Sequence, residues 1–339
     1  MSHVTLEDVA RAADVSLATA SRALNGRRVT PHLHERVLAA AARLAYTPNA
    51  HARALAGASR RSVGVVCHDV TDPYFAAVAG GVMRVAADND LLVMLASTFH
   101  DPEREIAYVS MLRAERAPAI LLIGSGFEDP RWERAMAAEL APYLDGGGRV
   151  AVVSRHRNLK VDSVLPENRS GAAELARALL GLGHRRFAVL SGPPELTTVA
   201  DRLGGFRDEL AAAGVALDPA AVAEAAFTRD GGYQAMTELL DRGLDATCVF
   251  ACTDVMAVGA YAALRDRGLS VPGDVSVAGF DDIPVVRDLA PPLTTVALPL
   301  HRLGEEAMRL ALTENTARRR RVVRLPGAVV LRDSTAPVA

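Results

Sequence analysis

The sequence predicts an N-terminal all-α helix-turn-helix headpiece followed by an α/β core of two doubly wound parallel-sheet lobes. Three observations carry this expectation. Residues 5–26, TLEDVARAADVSLATASRALNG, hold two short apolar-faced helical segments around a tight turn. After residue 60, short apolar runs alternate with amphipathic stretches, the pattern of a parallel sheet covered on both faces. The charge is also divided: residues 1–60 carry eight arginines and four acidic residues, a net of +4, which leaves −6 for the rest of a chain whose total is −2. A basic head on an acidic body is the charge layout of a phosphate-binding module joined to a soluble domain.

Within the head, Thr5 is placed to cap a first helix with Leu6, Val9 and Ala10 on its apolar face. Ala13-Asp14-Val15 makes the turn. Ser16 caps a second helix running Leu17 to Leu24, and Asn25-Gly26 ends it. Ala10, Ala13 and Ala20 are small where the helices cross, and Leu6, Val9, Val15 and Leu24 close the shared core. Val29 and Pro31-His32-Leu33 open a third helix with Val37, Leu38, Ala41 and Leu44 at helical spacing; it ends near Tyr46, and Pro48 stops it. In such a motif the first residues of the second helix face base edges in the major groove, here Leu17, Ala18 and, one turn on, Arg22. Read alone, the same stretch also suits an ordinary helical hairpin.

The remaining chain, roughly 280 residues, is too long for one α/β layer and suits two lobes. Apolar runs place strands at 62–67, 91–97, 119–124 and 149–154 in a first series, and at 186–192, 221–227, 247–253 and 275–281 in a second. Helices are expected through about 88, from about 102, ahead of 149, from about 169, near 201–213, to about 242 and to about 268. Ligands bind such sheets beyond the carboxyl ends of the strands.

DVARAADVSLATASRALNG, Pro31 and the Ala-Tyr-x-Pro-Asn turn at 45–49 resemble the DNA-binding headpiece and hinge of the LacI/GalR family of bacterial regulators. DPYFAAVAGGV (72–82), GHRRFAVLSGP (183–193), ADRLGGFRDEL (200–210), CTDVMAVGA (252–260) and VPGDVSVAGFDD (271–282) are similar to the periplasmic-binding-protein-like core of the same family. The resemblance implies a headpiece over 1–47, a hinge over 48–60, an N-lobe of 61–161 with 292–323, and a C-lobe of 162–291 with 324–339. It implies DNA contacts at Thr5, Ser16, Leu17, Ala18, Thr19, Ser21, Arg22 and Asn25, and hinge contacts at Asn49, Arg53 and Leu55, with Leu55 as the apolar wedge in the minor groove. Carried onto the core, it implies an effector cleft formed by Tyr74, Phe75, Arg155, Thr198, Arg202, Phe227, Thr253, Asp254 and Asp281. A carboxylate, an arginine and an aromatic plane converging on one cleft is carbohydrate-binding chemistry; the same trio can hold a purine. The chain departs from the family pattern at Asp14, where glycine is common, at Ala20, usually valine, at Thr253, often asparagine, and at Glu167, more usually aspartate.

The resulting expectation is a ligand-responsive, sequence-specific DNA-binding repressor of carbohydrate-utilisation genes. It would act as a homodimer on a pseudo-palindromic double-stranded operator and be released by a small-molecule effector, a sugar. A corepressor-type regulator binding a nucleobase or nucleoside, and a regulator with no small-molecule effector, stay open as alternatives. No catalytic constellation stands out, and no cofactor or metal is expected. Cys67, Cys248 and Cys252 are an odd number and read as packing residues, and Gly146-Gly147-Gly148 lacks the GK[ST] that a phosphate cradle needs. No apolar run approaches the ~20 residues that span a bilayer, and no targeting segment precedes the head. A cytoplasmic protein with reduced thiols and no membrane partner is therefore expected. A periplasmic solute-binding protein would share the core but has no use for a basic head.

Overall fold

The computed structural model describes residues 4–25, 27–46, 62–156, 158–314 and 319–338. The chain divides into two compact units, Met1–Arg61 and Ser62–Ala339.

The first unit contains helices α1 (Leu6–Ala12), α2 (Leu17–Leu24) and α3 (Pro31–Arg43). A capping box starts α1: the Thr5 side chain accepts from the Asp8 amide, and the Asp8 carboxylate accepts from the Thr5 amide at 2.9 Å. Ser16 caps α2 by accepting from the Thr19 amide at 3.2 Å. Alanines dominate the core, with Ala10, Ala13, Ala20, Ala23, Ala40 and Ala41 packed around Val9 and Val37, so the three short helices cross closely. The expected core position Leu38 is instead 46 % exposed. It lies one residue off the buried Val37–Ala40–Ala41 stripe, on the outer face of α3. Asp14 sits in the turn at φ 48°, a left-handed conformation that glycine adopts freely and aspartate tolerates. Its carboxylate is met by Arg36 at 3.2 Å, and Arg36 also donates to the Ala13 carbonyl at 2.7 Å, which ties α3 to the turn.

In the second unit a six-stranded parallel sheet has the order β11–β5–β4–β3–β1–β2, from β1 (Ser62–Cys67), β2 (Leu92–Ser97), β3 (Ala119–Ile123), β4 (Arg149–Val153), β5 (Asp162–Pro166) and β11 (Val322–Leu325). A four-stranded parallel sheet has the order β7–β6–β8–β9, from β6 (Phe187–Ser191), β7 (Val222–Glu224), β8 (Cys248–Ala251) and β9 (Ser276–Ala278). β10 (Thr295–Ala297) and β12 (Ala328–Val330) pair antiparallel beside it, with isolated bridges from Thr294 to Ala278 and from Ala297 to Asp281. The central strands are buried along their whole length, as AILLI of β3 and CVFA of β8 require of a sheet covered on both faces.

Helices α4 (Pro73–Asp88), α5 (Pro102–Ala114), α6 (Pro130–Asp145) and α11 (Leu300–Leu312) cover the first sheet. The second is covered by α7 (Asn168–Gly181), α8 (Thr197–Ala212), α9 (Arg229–Asp241) and α10 (Asp254–Asp266). Where α4 crosses α11 the backbones touch: a methyl on Gly81 would strike the carbonyl of His301, and one on Gly304 that of Val78. All three expected lobe crossings shift. β5 pairs with β4 and β11, so the N-lobe sheet runs through 166 rather than 161 and takes back 322–325 rather than ending at 323. β10 sits beside the second sheet, so the return crossing falls near 299 rather than 291.

Candidate functional site

A cleft with about 460 Å³ of empty space, partly open to solvent, lies between the two lobes at the carboxyl ends of the strands. Each strand delivers its contribution in the loop that follows it. His68 comes after β1, His100 after β2, Ser125 after β3 and Ser154 after β4; across the gap, Thr253 follows β8 and Asp281 follows β9. Helix α4 presents Asp72, its N-cap, with Tyr74 and Phe75 in its first turn, and α8 presents Thr198 and Arg202. Phe227 closes one wall.

Arg202 is the fixed point of the C-lobe wall. It is buried, and its guanidinium donates to Asn168 Oδ1 at 2.9 Å, to the Cys252 carbonyl at 2.7 Å and to Asp281 Oδ1 at 2.7 Å, while its carbon lies 4.0 Å over the Phe280 ring. Asp281 is held at φ 123°, a backbone conformation that side chains rarely adopt and that only a surrounding framework sustains. Burial pushes the Asp281 carboxyl up to about 7 against the opposing pull of Arg202. Asp72 is likewise raised to about 7, first by burial and then by the facing Asp281 and by Asp69, while the Tyr74 amide and Arg202 pull it down. Burial also keeps His68 neutral, with its pKa down at about 3.

One end of the cleft is closed by a seam between the lobes. The Glu128 amide donates to the Glu195 carbonyl at 2.6 Å, the Thr197 amide to the Gly126 carbonyl at 2.9 Å and the Thr198 amide to Ser125 Oγ at 3.0 Å. Thr197 Oγ1 adds a bond to the Arg155 carbonyl at 3.0 Å. These bonds set the start of α8, and hence Thr198 and Arg202, against the N-lobe loops.

Of the nine expected cleft residues, Tyr74, Phe75, Thr198, Arg202, Phe227, Thr253 and Asp281 line this space. Two do not. Arg155 turns to Asp201, meeting its two carboxylate oxygens at 3.1 and 3.0 Å, and reaches Glu128 at 3.4 Å. Asp254 is fully buried, and its oxygens accept from the Thr295 hydroxyl at 2.7 Å and the Ile283 amide at 2.9 Å, so it braces the β9–β10 region. Sequence reasoning missed His68, Asp72, His100, Ser125 and Ser154. Only a partial signal was available: each stands within three residues of a strand's carboxyl end or, for Asp72, caps the following helix, but which strand ends meet is set by the sheet order.

In the helical unit, Leu17, Ala18 and Arg22 are exposed on α2. Arg22 Nε donates to the Ala18 carbonyl at 3.3 Å, Ser16 Oγ and Thr19 Oγ1 share a 2.9 Å bond, and the Asn25 amide donates to Ser21 Oγ at 3.3 Å. Thr5 and Ser16 are thus committed to capping α1 and α2. The expected contacts Asn49, Arg53 and Leu55 lie outside the described residues.

A helix-turn-helix unit with an exposed second helix, joined to a two-lobed core with a polar, aromatic-walled cleft, defines a ligand-responsive DNA-binding transcriptional regulator. Comparison with known proteins agrees. Residues 5–49 match the family described as bacterial regulatory proteins, lacI family, and residues 176–335 match the periplasmic binding protein-like domain. The chain is 33% identical over 341 residues to the HTH-type transcriptional regulator DegA of Bacillus subtilis (strain 168), covering 98% of each chain. Among solved structures it is similar to the lac repressor dimer bound to operator and the anti-inducer ONPF, with TM-score 0.84 and 26% identity over 99% of this chain and 100% of that one. It is also similar to the transcriptional regulator CelR–cellobiose complex, with TM-score 0.70 and 31% identity over 98% and 100%. The chain belongs to the lacI family of bacterial regulatory proteins. It is a transcriptional regulator.

Proposed function

We propose that the protein is a homodimeric repressor whose two headpieces read the halves of a pseudo-palindromic operator and whose cleft takes a sugar that releases the DNA. The observation that carries the effector reading is the cleft itself. Aromatic side chains at Tyr74, Phe75 and Phe227 offer planes for a sugar ring, and hydroxyls at Ser125, Ser154, Thr198 and Thr253 stand around the clamped Arg202–Asp281 pair. The structural relative solved as a cellobiose complex supports a carbohydrate as the ligand class. Tyr74, Phe75, Thr198, Arg202, Phe227, Thr253 and Asp281 are the proposed effector contacts, and Leu17, Ala18 and Arg22 the proposed base-reading residues.

The dimer reading is supported by the edge of the six-stranded sheet. β2 is one of its two edge strands, with Leu92 74 % exposed and Leu95 and the nearby Phe99 exposed as well. An open apolar edge of this kind needs covering. Sedimentation equilibrium should give a dimer, and Leu92→Asp should weaken it. For the effector, a thermal-shift screen across sugars, sugar phosphates, nucleosides and nucleobases is the test. A saturable rise with a sugar, coupled to loss of operator binding, is the expected result. A rise with a nucleobase that tightens operator binding would replace induction by corepression.

A further inference from the structure

Among the described residues that line the cleft, Arg202 is the one arginine or lysine, and three of its N–H groups are already given to Asn168, Cys252 and Asp281. Two carboxyls, Asp72 and Asp281, share the same space. The neighbouring arginine that could have reached an anion, Arg155, is held by Asp201 and Glu128. The cleft adjoins a second concavity, with which it shares Asp72 and Phe227, and this mouth adds Asp69 and Asp230 against Arg229 alone. Arg229 is in turn paired with Asp230 at 2.9 Å and lies over the Tyr233 ring at 5.4 Å. An anion approaching this site crosses an acidic mouth and meets, among the described lining residues, only a guanidinium already paired with Asp281.

His68 supplies the second observation. It is 2 % exposed, yet its Nε2 has no hydrogen-bond partner, and a buried polar nitrogen left unsatisfied is costly. The imidazole lies against Gly124, which lines the same cleft; a Cβ there would stand 2.7 Å from Cδ2 and Nε2, so only glycine at 124 leaves the ring its place. Phe75 at 5.8 Å, Phe127 at 5.8 Å and His100 at 4.9 Å fix the ring plane. A hydroxyl both donates and accepts, so it satisfies Nε2 in either tautomer.

We propose that the cleft is selective for an uncharged sugar over its phosphorylated or acidic counterpart, and that His68 Nε2 is a specificity-determining contact to one of its hydroxyls. This rests on the sugar-effector reading above. The sole tryptophan, Trp132, is 5.1 Å from Phe127, which packs on His68, so its emission reports on occupancy of this wall.

The test titrates the full-length protein with matched probes, following Trp132 emission and melting temperature. Glucose, galactose, ribose and cellobiose are compared with glucose 6-phosphate, galactose 6-phosphate, ribose 5-phosphate and glucuronate, with adenosine and cytidine alongside. The expected result is a neutral sugar bound at least 100-fold more tightly than its charged partner. His68→Phe, which keeps a ring but no nitrogen, should weaken that sugar at least 10-fold, and His68→Gln should recover most of the loss. Should the Phe variant fail to fold, His68→Asn, whose amide falls short of the Nε2 position, serves in its place. A charged sugar binding as well as the neutral one overturns the selectivity while leaving the sugar reading intact. Undiminished affinity in the His68 variants overturns the assignment of His68. Binding confined to nucleosides, or no binding by any sugar in either form, overturns the sugar reading and this proposal with it.

Discussion

Replacing Arg202 by methionine removes the cation from the C-lobe wall while keeping a side chain of similar length. The pair it forms with Asp281 is 2.7 Å long, and the two side chains are 3 % and 5 % exposed. Breaking such a pair from one side costs roughly 3–5 kcal/mol, because the remaining charge is left buried. In a core of this size each kcal/mol moves the melting temperature by about 2–4 °C, so a loss on the order of 10 °C is expected for Arg202→Met. The pH dependence gives a sharper signature. Asp281 is raised to about 7 in the fold, from an ordinary value of 3.8, so its contribution to stability is fully present below 3.8 and is lost as pH rises through 7. Without Arg202 the carboxyl shifts further up, and stability goes on falling above pH 7, where the parent protein has levelled off. Asp72, which Arg202 also holds down, moves in the same direction. The deficit of the variant should therefore widen between pH 6 and 9 in differential scanning calorimetry. A variant that melts with the parent at every pH would refute the reasoning that Arg202 anchors this wall.

Other consequences are open to simple measurement. Arg22→Ala should cost roughly 1–3 kcal/mol on a selected operator by fluorescence anisotropy and relax specificity at one base pair; a uniform loss across sequences would make Arg22 a phosphate contact instead. Asp14→Gly trades the left-handed strain and the exposed Arg36 pair for a freer turn, so headpiece stability should stay within about 1 kcal/mol. DNA affinity should rise with the loss of a negative charge, an effect that shrinks in high salt. Glu105 is buried on α5 and pushed by desolvation up to about 8. Its stabilising effect is complete below the usual 4.5 and lost as pH rises through 8, by at most about 1.4 kcal/mol per pH unit, so Glu105→Gln should flatten the melting profile between pH 5 and 8.

The headpiece was legible because its signals are local: caps at Thr5 and Ser16, small residues at the crossings, and Asp14 at a turn. Most strands were legible as runs such as AILLI and TCVFACT, which only a doubly covered sheet can bury. β5 was not, because DSVLP mixes an acid, a hydroxyl and a proline, and its place depends on pairing with β4 and with β11 from far along the chain. The same holds for the cleft. Arg202 and Asp281 stand in motifs, whereas His68, His100, Ser125 and Ser154 become a wall only when four strand ends are set side by side. Arg155 and Asp254 show the reverse: their positions suited a ligand contact, but nearer partners hold their side chains.

The most direct test is a titration of the full-length protein on an operator fragment obtained by selection from random DNA, with and without a saturating neutral sugar that stabilises the core. The account predicts that the sugar weakens operator binding at least tenfold in the parent protein and leaves it unchanged in Arg202→Met. Operator affinity indifferent to a sugar that demonstrably occupies the cleft would contradict it.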